Sequence, residues 1–243
     1  MYGLGTIINT AAIIVGGILG ILFGALISER HRDTLGKACG VSVLVIGMAG
    51  ALRGMLSVSQ DGRLVSGGDL LIVGCLAVGA LIGELINIEG GFERFGEWLK
   101  KRTGNAKDTT FLDGFLNASF TVCIGAMAIV GSINDGIYGD YTILLTKSIL
   151  DFIIVMVMAA SMGKGTIFSA IPVALLQGSV TALSRLIVPI MTETALLYLS
   201  IVGNVLIFCV GVNLVWGKKI RVANLLPAVV LAIGAAFLPF SLF

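Results

Sequence analysis

Along this chain apolar residues come in long runs, broken at intervals by short polar clusters, and the runs are of membrane-spanning length. Eight of them can be drawn, at 2 to 27, 37 to 58, 65 to 88, 111 to 133, 142 to 163, 165 to 187, 194 to 216 and 223 to 241. Each is near the ~20 residues that a helix needs to cross a ~30 Å hydrocarbon core. The pattern predicts an all-α integral membrane protein with about eight transmembrane helices, forming a single transmembrane domain over residues 1–243. The first run starts without a basic segment and ends without a small-residue cleavage pattern, so it is expected to stay as the first helix.

The longest polar interval departs from this pattern. In "GGFERFGEWLKKRTG", residues 90–104, Phe92, Phe95, Trp98 and Leu99 fall within about 120° of a helical wheel, opposite Glu93, Glu97, Lys100 and Lys101. This predicts an amphipathic helix lying on the membrane surface, as a brace, a lipid contact or a binding surface.

Composition agrees with a membrane protein: 57% of the 243 residues are hydrophobic and only 12% charged, with a mean hydropathy of +1.03. The net charge of +2 says little, but its distribution says more. Of the 16 basic residues, twelve lie in alternate loops: Arg30, Arg32, Lys37, Arg94, Lys100, Lys101, Arg102, Lys107, Lys164, Lys218, Lys219 and Arg221. The opposite loops hold only Arg53 and Arg63. By the positive-inside rule the first set is cytoplasmic. With eight helices both termini, and the segment "NDGIYGD", then lie outside. The four cysteines fall in four different spans without metal-ligand spacing, and read as small buried hydrophobes.

Polar residues inside the spans are the candidate chemistry. "TKSILDFIIVM" places Lys147 and Asp151 four residues apart, ~40° from each other around a helix, where they can neutralise one another. A charge at that depth costs roughly 2.5 to 3.5 kcal/mol on insertion scales, so such residues face a bundle interior, a partner or a water-filled path. Either a buried ion pair holding helices in register or a site for a solute or ion fits them. Asp113, Asn117 and Thr121 follow at spacing four in the preceding span and predict a polar wall. "CIGAMAIVGSINDG" then concentrates glycine where helices pack closely or where the backbone unwinds. In the sixth span, Pro172 predicts a kink and Gln177 is an amide that needs partners. Asn9, Asn204 and Asn213 are buried amides that serve as interhelical glue or as site groups. Gly16, Gly20 and Gly24 form a small-residue ridge suited to close packing within the bundle or between two copies in a homodimer.

"DLLIVGCLAVGA" at 69 to 80 echoes "NLLPAVVLAIGA" at 224 to 235, "VIGM" echoes "CVGV", and "GTI" opens both the first and the sixth span. These echoes point to an inverted repeat, spans 1–3 against 6–8, around spans 4–5.

Together "FTVCIGAMAIVGSINDG", "LLTKSILDFI", "MGKGTIFSAIPVALLQG", "VANLLPA" and the opening "GTIINTAAIIVGG" resemble a bacterial family of polytopic membrane proteins catalogued as domain of unknown function 554. That resemblance covers nearly the whole chain and implies a transporter-like protein of the bacterial inner membrane; it brings no substrate.

No phosphate loop, dinucleotide fingerprint, metal triad or nucleophile beside a histidine occurs, so enzyme is the weakest class and no cofactor, metal or nucleic-acid partner is expected. The expected partners are the lipid bilayer and a small solute or ion. Without an ATP-binding domain the first expectation is a gradient-driven secondary transporter with a polar site on spans 4–6, built from Lys147, Asp151, Asp113, Asn117, Thr121 and Gln177. A channel for ions or small solutes is the second, and a membrane scaffold or envelope regulator the third.

Overall fold

The computed structural model describes residues 2–59 and 61–238. Its helices follow the apolar runs with instructive departures. Helix α1 is Leu4–Leu26, α2 is Glu29–Met55, α3 is Asp69–Ile86 and α4 is Ile88–Arg102. Helices α5 (Phe111–Cys123) and α6 (Ala126–Tyr138) are followed by α7 (Thr142–Met162), and a 3-10 turn, Lys164–Ser169, leads into α8 (Ala170–Ala182). After the short α9 (Ser184–Ile187) come α10 (Glu193–Trp216), α11 (Val222–Leu225) and α12 (Pro227–Ala235).

Among the described residues six helices are long and apolar enough to span a membrane, and a seventh span forms if the pair α5 and α6, bent by 61°, crosses as one. The apolar helix over 222–235 is shorter, so an eighth crossing is not shown; residues 239–241 of the expected last span lie outside the described residues. Large apolar side chains on α1, α2, α3 and α7, such as Leu22, Val45, Leu81 and Ile149, face outward. That is how a helix presents itself to lipid, because its backbone polar groups are already satisfied internally.

The second helix starts at Glu29 rather than near Lys37, because the polar interval is itself helical: Arg32 Nε donates to the Gly24 carbonyl at 2.8 Å, and Lys37 pairs with Asp33 at 2.7 Å. Between α2 and α3 the chain forms a hairpin, with β1 (Leu56–Val58) antiparallel to β2 (Leu64–Ser66). Gly62, at φ 73°, supplies the left-handed turn residue.

Two helix pairs form the scaffold. Gly16, Gly20 and Gly24 of α1 lie against the backbone carbonyls of Phe152, Met156 and Ala160 of α7, and an added Cβ at Gly16 or Gly24 would fall 2.6 Å from such an oxygen. The ridge is therefore used inside the chain, and the rising numbers on both sides show that α1 and α7 run parallel. Helices α2 and α10 run antiparallel: Gly40 meets Leu214, Gly47 meets Phe208 and Gly54 meets Ile201. Helix α3 packs antiparallel on the 222–235 segment, Gly79 against Ala228 and Gly83 against Asn224.

These contacts, with Gly36 against Ser161 and Gly165 against Phe111, gather the loops near residues 27–37, 86–110, 163–165 and 216–222 at one end of the bundle. All twelve loop basic residues named above stand there. At this basic end α4 is an amphipathic helix over 88–102, with Phe92 and Leu99 packed inward and Trp98 exposed. Lys218 bridges to Glu89 at 2.7 Å and Glu93 at 2.5 Å, Arg221 pairs with Glu84, and Asn224 Oδ1 accepts from Glu89 N at 2.8 Å. Burial pulls the Lys218 ammonium down, but hydrogen bonds and charge from Glu89 and Glu93 outweigh it and raise its pKa. Asn213 shapes the same loop by accepting from Lys219 N and Ile220 N, both at 2.9 Å.

Candidate functional site: a buried ion pair on a broken helix

Helix α5 stops at Cys123 because the backbone turns at Gly125, whose φ of 154° and ψ of 146° are open essentially to glycine alone. In an unbroken helix the Val122 carbonyl would accept from the amide four residues on. The break removes that donor, and an unpaired carbonyl away from water costs about 1–3 kcal/mol. Lys147 replaces it: its Nζ donates to Val122 O at 2.8 Å and to Asp151 Oδ2 at 2.5 Å. An ammonium at a helix C-terminus also meets the negative end of the helix dipole. Both charged side chains are buried, 7% exposed for Lys147 and 4% for Asp151.

Asp151 Oδ2 accepts a further bond from Asn9 Nδ2 of α1 at 3.0 Å. With the nitrogen turned to the carboxylate, Asn9 Oδ1 faces away and has no hydrogen-bond partner, although Asn9 is fully buried. Thus α1, α5 and α7 meet at this pair.

The packing adds α8. Ile13, Val122, Val155 and Val173 share one buried apolar cluster. One turn toward the end opposite the basic one, each helix but α5 changes to a polar residue: Asn9 below Ile13, Asp151 below Val155, and, since α8 runs the other way, Gln177 above Val173. The next turn is fixed as well, by Thr6 Oγ1 lying 3.5 Å from Thr181 Oγ1. Gln177 is thereby held in the layer of Asn9 and Asp151. It is 1% exposed, and neither its Nε2 nor its Oε1 has a partner. Ser132 Oγ of α6 is buried and unpartnered too.

Of the residues singled out from the sequence, Lys147, Asp151 and Gln177 come together in this layer. Asp113, Asn117 and Thr121 do not join them through side-chain bonds. Asn117 Nδ2 donates to Asp113 O at 3.0 Å and Thr121 Oγ1 to Asn117 O at 2.7 Å, each satisfied within its own helix. Asp113 and Asn117 instead border a narrow crevice with Glu89, Asn213 and Lys218 at the basic end. Pro172 sits in the first turn of α8, and its disturbance appears as the 3-10 turn before it rather than as a kink within α8.

On the other side of the break lies an apolar cavity of about 370 Å³, walled by Cys123, Ile124, Gly125, Pro172, Leu176 and Gly203 among others. The break thus separates an apolar space from a polar layer. Sequence reasoning overlooked two groups here: the Val122 carbonyl, which no side-chain pattern can announce, and Asp135. The latter, expected in an outer loop, is fully buried near the end of α6 and accepts from Gly3 N at 3.1 Å and Gly5 N at 2.9 Å, capping α1.

The description "Protein of unknown function (DUF554)" matches residues 4–237. The chain belongs to this family. Among its relatives is the "Uncharacterized membrane protein YdfK" of Bacillus subtilis, 29% identical over 227 residues, or 93% of both chains. A second, the "Uncharacterized protein YqgA" of Escherichia coli K12, is 29% identical over 233 residues, 94% of both. No solved structure matches. The DUF554 assignment, the apolar helices and a relative named as a membrane protein agree on a membrane-embedded chain.

Proposed function

We propose that this DUF554 member is a gradient-driven secondary transporter of a small polar or charged solute in the bacterial cytoplasmic membrane, with its site at the Lys147–Asp151 layer. One observation carries this reading. A helix is broken in the interior of the bundle, and its freed carbonyl is held by a buried, charged side chain instead of a backbone amide. Interrupted helices with ions or polar groups at their broken ends recur at transporter sites, since irregular backbone at membrane depth needs protein or water beside it. The unpaired amides of Asn9 and Gln177 support it further, because each buried orphan costs about 1–3 kcal/mol unless something pairs with it.

Eight crossings fit this reading. Gly165 meets Phe111 at one end of the 164–184 segment and Gly136 meets Thr181 at the other, which supports α5 and α6 as one bent crossing parallel to it. With the 222–235 segment as the eighth, and the basic end cytoplasmic, both termini lie outside and α4 rests on the inner leaflet. The inverted repeat gains support from reciprocity. If Gly47 corresponds to Gly211, as in "VIGM" and "CVGV", then Leu44 corresponds to Phe208, and Gly47 meets Phe208 while Gly211 meets Leu44. A homodimer in the membrane would use outward faces other than the glycine ridge, which α7 already covers.

The test is purified protein in liposomes, screened for charge movement with pools of small solutes under imposed proton, sodium and potential gradients. Saturable currents that Asp151→Asn removes from a folded protein are expected. Non-saturating currents at channel rates, or no current with any pool, would count against a carrier.

A further inference from the structure

Both hydrogen bonds of Lys147 Nζ go to oxygen. It donates to the Asp151 carboxylate at 2.5 Å and the Val122 carbonyl at 2.8 Å. The unpaired Asn9 Oδ1 belongs to the amide whose nitrogen holds that same carboxylate oxygen at 3.0 Å, and the unpaired Gln177 Oε1 stands in the same layer. A carboxylate of α7 and a carbonyl at the negative end of the broken α5 are hard oxygen donors on the ammonium, and two further amide oxygens, from α1 and α8, stand unpaired in the layer around them. Such donors suit alkali cations, and unwound helix carbonyls with half-helix C-termini coordinate them in membrane carriers. Here one monovalent cation is already present, tethered to α7 by the lysine stem.

We propose that these oxygens form a site for a monovalent cation, and that the Lys147 ammonium fills it, so that the wild-type protein needs no sodium at this point. The proposal deepens the transport reading by naming what occupies its charged centre, and rests on that reading only for its physiological role. The charge count explains why the occupant is singly charged: one carboxylate is present, and a divalent ion would leave a net positive charge in a low-dielectric layer. Among the described residues the other titratable groups near the pair are few. Cys123 of α5 feels both charges, Asp135 of α6 is engaged by Gly3 N and Gly5 N, and the neighbouring positions of α1 and α8 are amides and threonines.

The experiment is thermal unfolding of the purified full chain in detergent, in choline, lithium, sodium or potassium chloride at one ionic strength. Wild type is expected to unfold at the same temperature in all four. Lys147→Ala keeps every oxygen and removes the tethered cation, so one alkali ion should raise its midpoint saturably over choline, by about 3–6 °C at ten times its Kd. Methylammonium should do the same by standing in for the lost ammonium. Adding Asp151→Asn to Lys147→Ala should abolish both effects, which separates a bound ion from a general salt effect. A wild type stabilised by sodium, or a folded Lys147→Ala indifferent to all three metals and to methylammonium, overturns the proposal. If Lys147→Ala does not survive purification in choline, recovery in sodium or methylammonium is the same expected result, and failure in every medium counts as refutation. Because no solute movement is measured, the outcome is independent of the transport test. Currents lost in Asp151→Asn beside a cation-blind Lys147→Ala would keep the carrier and remove the cation site.

Discussion

Replacing Asp151 by Asn leaves the Lys147 ammonium buried with only neutral acceptors. At an effective dielectric constant near 20, unit charges 2.5 Å apart attract by about 6–7 kcal/mol before desolvation is counted. Taking both ions out of water offsets most of that, so the intact pair adds little net stability, while losing one partner costs about 3–5 kcal/mol because the other is stranded. Asp151→Asn and Lys147→Met should therefore each destabilise by about 3–5 kcal/mol. The double variant strands no charge. It loses the cap on Val122 O and the charged partner of Asn9, so its cost should be about 1–3 kcal/mol. Unfolding in detergent, followed by far-UV circular dichroism, gives all three values. The cycle should be non-additive by at least about 3 kcal/mol, with the double variant more stable than either single one. Additive costs would refute the electrostatic reasoning and mean that the residues act through shape. Transport read on the same three proteins separates structure from function. A stable double variant that still carries solute would reduce the pair to a helix cap and remove it from the site.

Asp135→Ala should lose two charge-assisted hydrogen bonds at the start of α1 and destabilise by about 2–3 kcal/mol, with Asp135→Asn recovering part of it; thermal unfolding checks the order, and equal midpoints for wild type and Asp135→Ala would refute the capping role. Lys101→Cys in a protein otherwise free of cysteine should resist a membrane-impermeant maleimide in whole cells and react after permeabilisation, and labelling in intact cells would reverse the orientation.

How far the sequence announces this architecture depends on the range of each signal. Lys147 and Asp151 are legible as a pair because i,i+4 spacing is a local property of helices. Their partner Asn9 lies 142 residues from Asp151, and no local pattern joins the two. Asp113, Asn117 and Thr121 are equally regular, yet spacing says only that they share a helix side; it does not say what that side meets. A one-sided wheel is a local signal too: it predicts a helix over 90–104, and the structure has α4 at Ile88–Arg102. The strands of the hairpin are hidden in the sequence because Leu56, Val58 and Val65 extend the hydropathy of the expected spans at 37 to 58 and 65 to 88 into them, although Asp61-Gly62, between those spans, is a turn signal in its own right. The glycines of "CIGAMAIVGSINDG" allow close packing or unwinding, and at Gly125 the backbone unwinds. Nearby Gly131 and Gly136 instead let α6 approach Leu144 of α7 and Thr181 of α8.

These two uses of glycine also separate what is stiff in the fold from what can move. Along α1 and α7, three glycines bring backbone onto backbone at consecutive turns, and any sliding must lift Gly16, Gly20 and Gly24 out of contact together. Along α5 and α6, the ladder of backbone hydrogen bonds is interrupted, and the Val122 carbonyl is held by one side-chain donor reaching across from α7. A rearrangement at Gly125 therefore need not disrupt a continuous helix; it needs Lys147 to let go of Val122. The other hold on that ammonium is the Asp151 carboxylate, 2.5 Å away. The stiff pair carries the carboxylate and the broken helix carries the freed carbonyl, and a single ammonium group joins the two.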